Sequence, residues 1–336
     1  MKTIGFFNNK GGVGKTSLVY HIAHMMDQLG TRVIAADLDP QANLTSLFLT
    51  EDRLDTLFEM SPRPTLYGAV SPQFRGVGDV RLPVIELIGD RIGLLAGDLE
   101  LSRLEDDLSY AWPKCQDGDE RSFRVISAFA RAIEMAGAEF SAEVALVDVG
   151  PNLGPLNRAA LLACDFVVVP LGADLLSLQG LRNMGPTVRG WREAWHDRKA
   201  KSPDASIGLP EGGMWPLGYI VMRHSVTAGR PARAYSRWIA RVPDEYRKYV
   251  LNTPNDGPED VSSDPNCLAQ LKDYRSLMPM AQEVRKPMFL LRPADGAFGG
   301  HQAAVKTCYT DFKALTLTIM DRCQADDPAS PAPPTM

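Results

Sequence analysis

Residues 8–17 read NNKGGVGKTS and hold three glycines and two lysines within ten positions. A β-branched and aromatic run, residues 2–7, comes before them, and a run with apolar residues at helical spacing follows. This order predicts a strand, a glycine-rich loop and a helix. Glycines let successive backbone N–H groups point at one phosphate, and the helix N-terminus adds a favourable partial charge. The stretch therefore predicts a phosphate-binding loop.

The loop departs from the common phosphate-loop pattern at one position and carries an additional lysine. The pattern GxxxxGK[ST] has glycine where this chain has Asn9, and asparagine tolerates a left-handed backbone. Lys15 is expected to reach the β- and γ-phosphates, and the Thr16 hydroxyl to ligate Mg²⁺. Lys10 is a second cation, and two ammonium groups about 4 Å apart would repel each other by about 4 kcal/mol at an effective dielectric of about 20. Lys10 therefore need not bind the same phosphates as Lys15, and a solvated loop lysine is the alternative reading.

The rest of the chain alternates apolar runs with helical patterns. Gly30 suits the end of the first helix, and TRVIAAD supplies a second strand that ends at Asp37. Further strands are predicted at IGLLA from Ile92, VALVDV from Val144, FVVVP from Phe166, LGYIVM from Leu217 and PMFLL from Pro287. Together these patterns predict an α/β fold with a mostly parallel twisted sheet and helices on both faces.

Composition divides the chain into one domain with several special segments. Residues 1–323 are predicted to form a single domain with a loop-rich insertion at about 50–91, and residues 324–336 a disordered acidic, proline-rich tail. The segment 182–250 holds 13 Lys/Arg against 6 Asp/Glu, although the whole chain has a net charge of −5. This surplus indicates either a local polyanion partner or a solvated face.

Other features argue against several classes of protein. The five cysteines are scattered and form no metal-binding pair, so we expect reduced thiols. The N-terminus has no apolar run of signal-peptide length, and the longest apolar segment is broken by Pro170, Gly172 and Asp174. We therefore expect a soluble, cytoplasmic protein that does not enter a membrane.

KGGVGKTS resembles the deviant phosphate loop of the ParA/MinD family of P-loop ATPases, which carries an extra lysine at the start of the glycine run. ADLDPQANLT from Ala36 resembles the family's first switch segment, and LVDVGPNLG from Leu146 its Walker B strand and second switch. CDFVVVPLGADLLSLQGL from Cys164 and the run from Pro279 resemble later blocks in the same order. The resemblance covers most of the chain and implies a three-layer P-loop NTPase fold.

The resemblance also assigns roles at the phosphate end. Asp39 would orient the attacking water, and Asp148 would hold Mg²⁺ through water. Gly150, Pro151 and Gly154 would form a mobile loop that senses the γ-phosphate, and the family commonly has proline where this chain has Gly150. The implied metal site comprises Thr16, Asp39 and Asp148.

The resemblance further implies an active form in which two protomers enclose two ATP molecules. Lys10 would then bind the nucleotide of the opposite protomer, so that Lys10, Lys15 and Asp39 are the expected catalytic residues. On the adenine side, Arg223 and Pro293 occupy the matching places. The implied nucleotide-binding residues are Lys10, Gly11, Gly12, Val13, Gly14, Lys15, Thr16, Ser17, Arg223 and Pro293.

The partner of such a dimer is predicted from charge. MinD-type members bind membranes through a basic amphipathic C-terminal helix, whereas this chain ends in an acidic tail, so membrane binding is disfavoured. ParA-type members bind nonspecific DNA, for which Arg230, Arg233, Arg237 and Arg241 are candidates. The last three recur at four-residue spacing, which would align them on one helix face; a solvated face is the alternative.

The resulting hypothesis is a ParA-like, Mg²⁺-dependent ATPase that dimerises with ATP, binds the nucleoid and positions or segregates a cargo. Its expected partners are a second copy, nonspecific DNA, and a cargo adaptor or centromere-binding-like protein, which could bind at 50–91 or 230–266.

The alternative functions are those of a ligase of the dethiobiotin-synthetase-like class and of a MinD-like positioning ATPase without DNA binding. Nitrogenase-type iron proteins are disfavoured because no cysteine lies between Asp148 and Cys164. Cluster carriers would need a C-terminal CxxC motif, and tyrosine kinases of this lineage a terminal tyrosine cluster; the sequence has neither.

Overall fold

One sheet organises the protein, whose computed structural model describes residues 1–224, 237–254, 260–274 and 276–325. Its strands are β1 Lys2–Phe6, β2 Val33–Asp37, β3 Glu86–Leu87, β4 Ile92–Leu95, β5 Val144–Asp148, β6 Phe166–Gly172, β7 Trp215–His224 and β8 Cys267–Lys272. They lie in the order β3-β4-β2-β5-β1-β6-β7-β8. Every neighbouring pair is parallel except β3 with β4. The sheet is thus mostly parallel, as predicted.

Helices cover both faces of this sheet. Within the described ranges they are α1 Lys15–Gln28, α2 Asn43–Phe48, α3 Glu51–Glu59, α4 Leu66–Phe74, α5 Glu105–Lys114, α6 Glu120–Ile126, α7 Ala128–Phe140, α8 Pro155–Leu162, α9 Leu175–Lys199, α10 Val242–Glu245, α11 Leu277–Glu283 and α12 Gly300–Ala325. Short 3₁₀ helices occur at Leu99–Leu104, Cys115–Asp117, Ala205–Ile207, Met288–Leu290 and Pro293–Asp295, and a π-helical turn at Tyr246–Leu251. None of these helices is long and apolar enough to cross a bilayer.

The core has two halves, one on each side of the sheet. Because side chains alternate along a strand, Ile34 and Ala36 of β2 pack with helices α4 to α10, whereas Val33 and Ala35 pack with α1, α2, α3, α11 and α12. All five residues of β2 are buried. A strand buried on both faces reads as a continuous apolar run, which is why the sequence predicted these strands. The expected three-layer α/β architecture is confirmed.

The first helix ends where the sequence predicted. Gly30 has a φ of 87°, and its N–H and that of Thr31 donate to the carbonyls of Asp27 and Met26. This left-handed residue stops α1 and turns the chain into β2. The strand, loop, helix and strand of residues 2–37 therefore form the unit on which the phosphate loop depends.

The strand predicted from Pro287 is wrong. Met288–Leu290 is a 3₁₀ helix, and the Met288 N–H donates to Nε2 of His21 rather than to a neighbouring strand. The strand at that edge of the sheet is β8, which pairs with β7 and was not predicted. Met288 and Phe289 are nevertheless buried, so their apolar character reflects packing rather than strand structure.

The segment predicted as a loop-rich insertion contains regular secondary structure that packs into the core. Residues 50–91 contain α3, α4 and β3, and Leu66, Val70 and Phe74 of α4 are buried in the core. This segment therefore forms part of the helical layer that covers the sheet.

The predicted tail, residues 324–336, begins within a helix. The last helix, α12, continues to Ala325, two residues into the predicted tail, and residues 326–336 lie outside the described residues.

Candidate functional site

The candidate site lies where the carboxyl ends of β1, β2, β5 and β6 meet, the usual ligand position in open parallel sheets. The loop between β1 and α1 turns through Gly12 and Gly14, whose φ values of 73° and 93° suit glycine. Gly14 caps α1, and Lys15 is its first residue. Asn9 does not have a positive φ, so the ability of asparagine to adopt a left-handed backbone conformation is not needed at this position.

Lys15 points into the loop. Its Nζ donates to the backbone carbonyls of Asn8 at 3.2 Å and of Lys10 at 3.5 Å. The side chain is buried, and burial lowers the pKa of Lys15 although the charges of Asp148 and Asp39 act to raise it. A buried cation held only by carbonyl oxygens would gain strongly from an anionic phosphate at this place.

Lys10 points away from the loop to α9. Its Nζ lies 2.6 Å from Oδ2 of Asp174, and the two side chains are 29% and 40% exposed. Asp174 also caps α9, because its Oδ1 accepts the Ser177 N–H at 2.9 Å. Burial acts to raise the pKa of Asp174, but hydrogen bonds from Lys10 and Ser177 outweigh it and hold this pKa below its ordinary value. The two lysines of the loop thus have separate environments.

Two buried carboxylates stand side by side behind the loop. Asp37 and Asp148 are register partners at the ends of β2 and β5. Oδ2 of Asp37 accepts from the backbone N–H and hydroxyl of Thr45 at 2.8 and 2.7 Å. Burial raises the pKa of Asp37 to about 7 despite these bonds. Asp37 was not predicted as a site residue, because the family resemblance assigned the role in this segment to Asp39 and the sequence marked Asp37 only as the end of a strand.

Asp148 has the more unusual environment. It is fully buried, and neither carboxylate oxygen has a hydrogen-bond partner of normal geometry among the residues that the structure describes. Burial and then the charge of Asp37 raise the pKa of Asp148 well above its usual range, although the Thr16 hydroxyl and the Lys15 charge oppose this. An orphaned carboxylate beside a hydroxyl fits a divalent cation that would supply the missing positive charge.

The protein alone does not complete a metal site. Within the described ranges no three His, Cys, Asp or Glu side chains converge closely enough to hold a metal ion. Mg²⁺ commonly takes one or two protein ligands and completes its shell with water and substrate phosphates. The residues present therefore fit a nucleotide-bound Mg²⁺ better than a resident metal.

Asp39 lies in the loop after β2 and faces the segment that follows β5. It is 8% exposed, and its Oδ1 accepts the Gln41 N–H at 3.0 Å. The same oxygen lies 3.5 Å from the place where a Cβ on Gly150 would stand. The structure thus brings together the two segments predicted as switches, and Asn157 of α8 donates to the carbonyl of Gly150 in the second of them.

A cavity of about 280 Å³ adjoins the phosphate loop at Gly14. Its lining combines Gly14 and Met222 with Tyr274 and Met278, and it includes Lys272 and Asp273 at the end of β8. Pro293 is not among the described lining residues and begins a 3₁₀ helix, and the Arg223 side chain lies outside the description. Lys272 and Asp273 were not predicted as site residues, because the sequence patterns did not predict β8.

The basic segment 182–250 is largely engaged within the fold. Arg182 and Arg241 both pair with Glu245. Arg192 lies 4.0 Å from the ring centre of Trp215, and Arg198 lies 4.4 Å from that of Trp112. Much of the positive surplus therefore stabilises α9 and its neighbours instead of forming a free face.

The candidate DNA-binding arginines are only partly described. Arg230 and Arg233 lie outside the described residues. Arg237 and Arg241 both approach the ring of Trp238, at 5.3 and 5.5 Å from its centre, although a turn at 240–241 interrupts the predicted helix between them. Arg237 is exposed and has no salt bridge to any described residue. Of the two described candidates, it is therefore the one without an ion pair to the described residues.

Comparison with known proteins gives a consistent picture. The protein family described as AAA domain matches residues 1–199. The putative replication protein A of Rhizobium rhizogenes is 33% identical over 181 residues, which is 54% of this chain and 42% of that protein. The chromosome partitioning protein ParA of Caulobacter vibrioides is 27% identical over 202 residues, 59% of this chain and 66% of that protein.

Two solved structures share the fold. A protein from Corynebacterium diphtheriae superposes with a TM-score of 0.71 at 23% identity, over 97% of this chain and 100% of that one. A putative plasmid partition protein from Borrelia burgdorferi, bound to AMPPNP, gives a TM-score of 0.57 at 16% identity, over 94% and 98%. The chain spans about half the length of the first curated relatives that it matches.

Proposed function

Because the chain belongs to the AAA-domain family and is a ParA/MinD-like P-loop ATPase, we propose that it hydrolyses ATP with Mg²⁺ and dimerises around two ATP molecules. The dimer binds nonspecific DNA and uses it to position or segregate a cargo. The names of relatives support this general function, since one is a chromosome partitioning protein and another a putative plasmid partition protein. The nucleotide analogue AMPPNP in the latter supports ATP as the ligand.

The separation of the two lysines carries this proposal. The side chain of Lys15 is buried within the loop, whereas that of Lys10 points away from the loop and pairs with Asp174. A second lysine that served the same phosphates would converge with the first, at the cost of their mutual repulsion. Lys10 instead pairs with Asp174 and is 29% exposed, which leaves it accessible to a nucleotide presented by another molecule.

Each residue of the site then has a role in phosphoryl transfer. Lys15 and the N–H groups of the loop bind the phosphates, and Thr16 and Asp148 hold the hydrated Mg²⁺. Mg²⁺ would neutralise charge that develops on the phosphate oxygens. Asp39 orients the attacking water. Lys10 of the opposite protomer adds a charge-assisted hydrogen bond that exists only in the dimer.

Exposed apolar side chains beside Lys10 support the dimer. Leu175 and Leu176, the first residues of α9, are 46% and 64% exposed and follow Asp174 directly. Large apolar residues next to an outward-facing lysine gain from being covered when two protomers meet. Hydrolysis would remove the γ-phosphate that Lys10 contacts and so weaken the interface.

DNA binding is assigned to the exposed surface around Trp238. Arg237 and Arg241 share this ring, and Arg237 has no described ion-pair partner. A guanidinium without an ion pair to the described residues can neutralise a phosphate and release counterions, which makes binding depend steeply on salt. The paired arginines of α9 would lose their partners in doing so and are poorer candidates.

The test is binding to random-sequence duplex DNA, measured by fluorescence anisotropy with ATP, with ADP and without nucleotide, over a series of salt concentrations. We expect binding with ATP only, and a logarithmic salt slope that Arg237→Ala reduces by about 1. Lys313→Ala is the matched control, because Lys313 is exposed on α12, which packs on the opposite side of the sheet.

Absence of binding at low salt would remove DNA from the proposed function. ATP turnover that required a small carboxylate and ignored DNA would instead favour the ligase alternative. The ATPase assay with and without DNA therefore separates a switch from a metabolic enzyme.

A further inference from the structure

A groove of about 680 Å³ lies between α3, α4 and the 3₁₀ helix that follows β4. None of its described lining residues belongs to the phosphate loop or to the two segments predicted as switches. Its charged lining consists of four arginines and two glutamates: Arg63, Arg75, Arg81, Arg103, Glu59 and Glu100. In a chain with a net charge of −5, such a concentration of arginines indicates an anionic partner. We call it the arginine groove.

Two of the four arginines are already paired within the fold. Nη1 of Arg63 lies 2.8 Å from Oδ1 of the buried Asp98, and Nη1 of Arg103 lies 2.8 Å from Oε2 of Glu100. The first pair is part of a larger network, because Asp98 also accepts the Thr65 hydroxyl at 2.9 Å. Arg63 and Arg103 therefore shape the arginine groove but add little net charge to it.

The other two arginines have no such partner. Arg75, at the end of α4, and Arg81 are exposed, and neither forms a salt bridge within the described ranges. Arg81 is held beside α4, because its N–H donates to the carbonyl of Ala69 at 3.0 Å. Against these two guanidinium groups, Glu59 is the one lining carboxylate without a salt bridge to a described residue. A carboxylate from a partner would therefore gain charge-assisted hydrogen bonds at Arg75 and Arg81.

The arginine groove also has an apolar side. Met60 lines it and is 47% exposed, and Phe58 and Tyr67 line it as half-buried rings. Methionine, aromatic residues and arginine are the types enriched in protein–protein interfaces. The backbone of duplex DNA offers phosphates but no apolar side chain to cover Met60, whereas a peptide can offer both a carboxylate and an apolar side chain. The lining therefore favours a peptide over DNA.

We propose that the arginine groove binds an acidic peptide segment of a partner protein, with carboxylates on Arg75 and Arg81 and an apolar side chain on Met60. The groove is built mainly from the segment 50–91, one of the two surfaces that the sequence suggested for a cargo adaptor. That a cargo adaptor supplies the peptide rests on the proposed function, whereas binding itself requires neither ATP nor DNA. The two claims can therefore fail separately.

The probe is a fluorescein-labelled peptide of glutamates interrupted by one leucine and one phenylalanine. Its anisotropy is followed as the full chain is added without nucleotide, over a series of salt concentrations. We expect saturable binding that weakens as salt rises, because exposed ion pairs are screened. The Arg75→Ala/Arg81→Ala variant should raise the Kd by about tenfold, and Met60→Ser by about threefold, with melting temperatures within error of the parent protein.

Two controls separate specific binding from general attraction. The matched variant is Lys306→Ala/Lys313→Ala, which removes the same charge from exposed positions on α12. This helix packs against β8, at the edge of the sheet opposite β3. It should keep the Kd within about twofold of the parent value. The second control is a peptide with glutamine in place of every glutamate, which should bind at least about tenfold more weakly.

Several results would overturn the proposal. The acidic peptide might as a first case show no binding to the parent protein at low salt, or the glutamine peptide might bind equally well. An equal loss of affinity in the α12 variant would show general attraction instead of a groove. If Arg75→Ala/Arg81→Ala kept its peptide affinity but lost binding to random-sequence DNA with ATP, the arginine groove would be a nucleic-acid site instead.

Discussion

Asp174→Asn should strengthen the ATP-dependent dimer. In the single protomer Asp174 holds Lys10 through an ion pair of 2.6 Å, and Lys10 must leave it to reach a nucleotide across the interface. Asparagine removes the charge but keeps the cap of α9, because its side-chain oxygen can still accept the Ser177 N–H. The substitution therefore releases Lys10 without unwinding the helix.

The size of the effect follows from the exposure of the pair. Both side chains are partly exposed, at 29% and 40%, so solvent screens much of their attraction. Exposed ion pairs of this kind contribute up to about 1 kcal/mol. Release of one lysine by about 1 kcal/mol corresponds to about a fivefold change, and release of both lysines of a dimer to about thirtyfold. We expect the dimer dissociation constant to fall by a factor in this range.

The assay is sedimentation of the protein with ATP and Mg²⁺ over a concentration series, alongside the parent chain. Asp204→Asn is the matched control, because Asp204 also caps a helix and pairs with an arginine, Arg124, away from the site. Asp174→Asn with an unchanged or weaker ATP-dependent dimer, while its melting temperature equals that of the parent, would refute the view that Asp174 restrains Lys10.

Three further predictions follow from the buried groups. Asp148→Asn should raise the melting temperature without nucleotide, because it removes an unpaired buried charge, and should lower Mg²⁺-dependent turnover by at least about 100-fold; retained turnover would exclude Asp148 from the metal site. Asp39→Ala should trap an ATP-bound dimer that hydrolyses poorly, and unchanged turnover would remove Asp39 from the mechanism. Burial lowers the pKa of His21 to about 4, so its contribution to stability is full above the unfolded value of 6.5 and is lost as the pH falls from there towards 4, by about 3 kcal/mol. Urea unfolding between pH 7.5 and 5 measures about 2 kcal/mol of this loss, because the rest falls below pH 5. An unchanged pH slope in His21→Gln would disprove it, and the exposed His196 is the control.

Local patterns predicted the parts of the fold and site that depend on near neighbours. The loop around Lys15 and the end of α1 at Gly30 are fixed by glycine conformation and helix capping within a few residues, and both signals are visible in the sequence. The buried strands were visible because a parallel sheet with two covered faces requires continuous apolar runs. The run PMFLL from Pro287 is equally apolar but is not a strand. Its residues are apolar because they are buried in the core as a 3₁₀ helix.

Contacts between distant residues could not be predicted from these patterns. The partner of Lys10 is 164 positions away at Asp174, and the partner of Arg182 is 63 positions away at Glu245. The charge count of 182–250 could not distinguish such paired arginines from free ones. Asn157 had no motif to mark its hydrogen bonds to the carbonyls of Gly150 and Asn152.

The behaviour of Lys10→Ala with ATP tests the proposed dimer switch more directly than any other variant. We expect this variant to bind a fluorescent ATP analogue with nearly the affinity of the parent protein, because Lys15 and the loop N–H groups remain. We expect no ATP-dependent dimer in sedimentation and no ATP hydrolysis, because each nucleotide lacks its contact from the opposite protomer. A Lys10→Ala protein that dimerises and hydrolyses ATP like the parent would contradict the assignment of Lys10 to the partner's nucleotide.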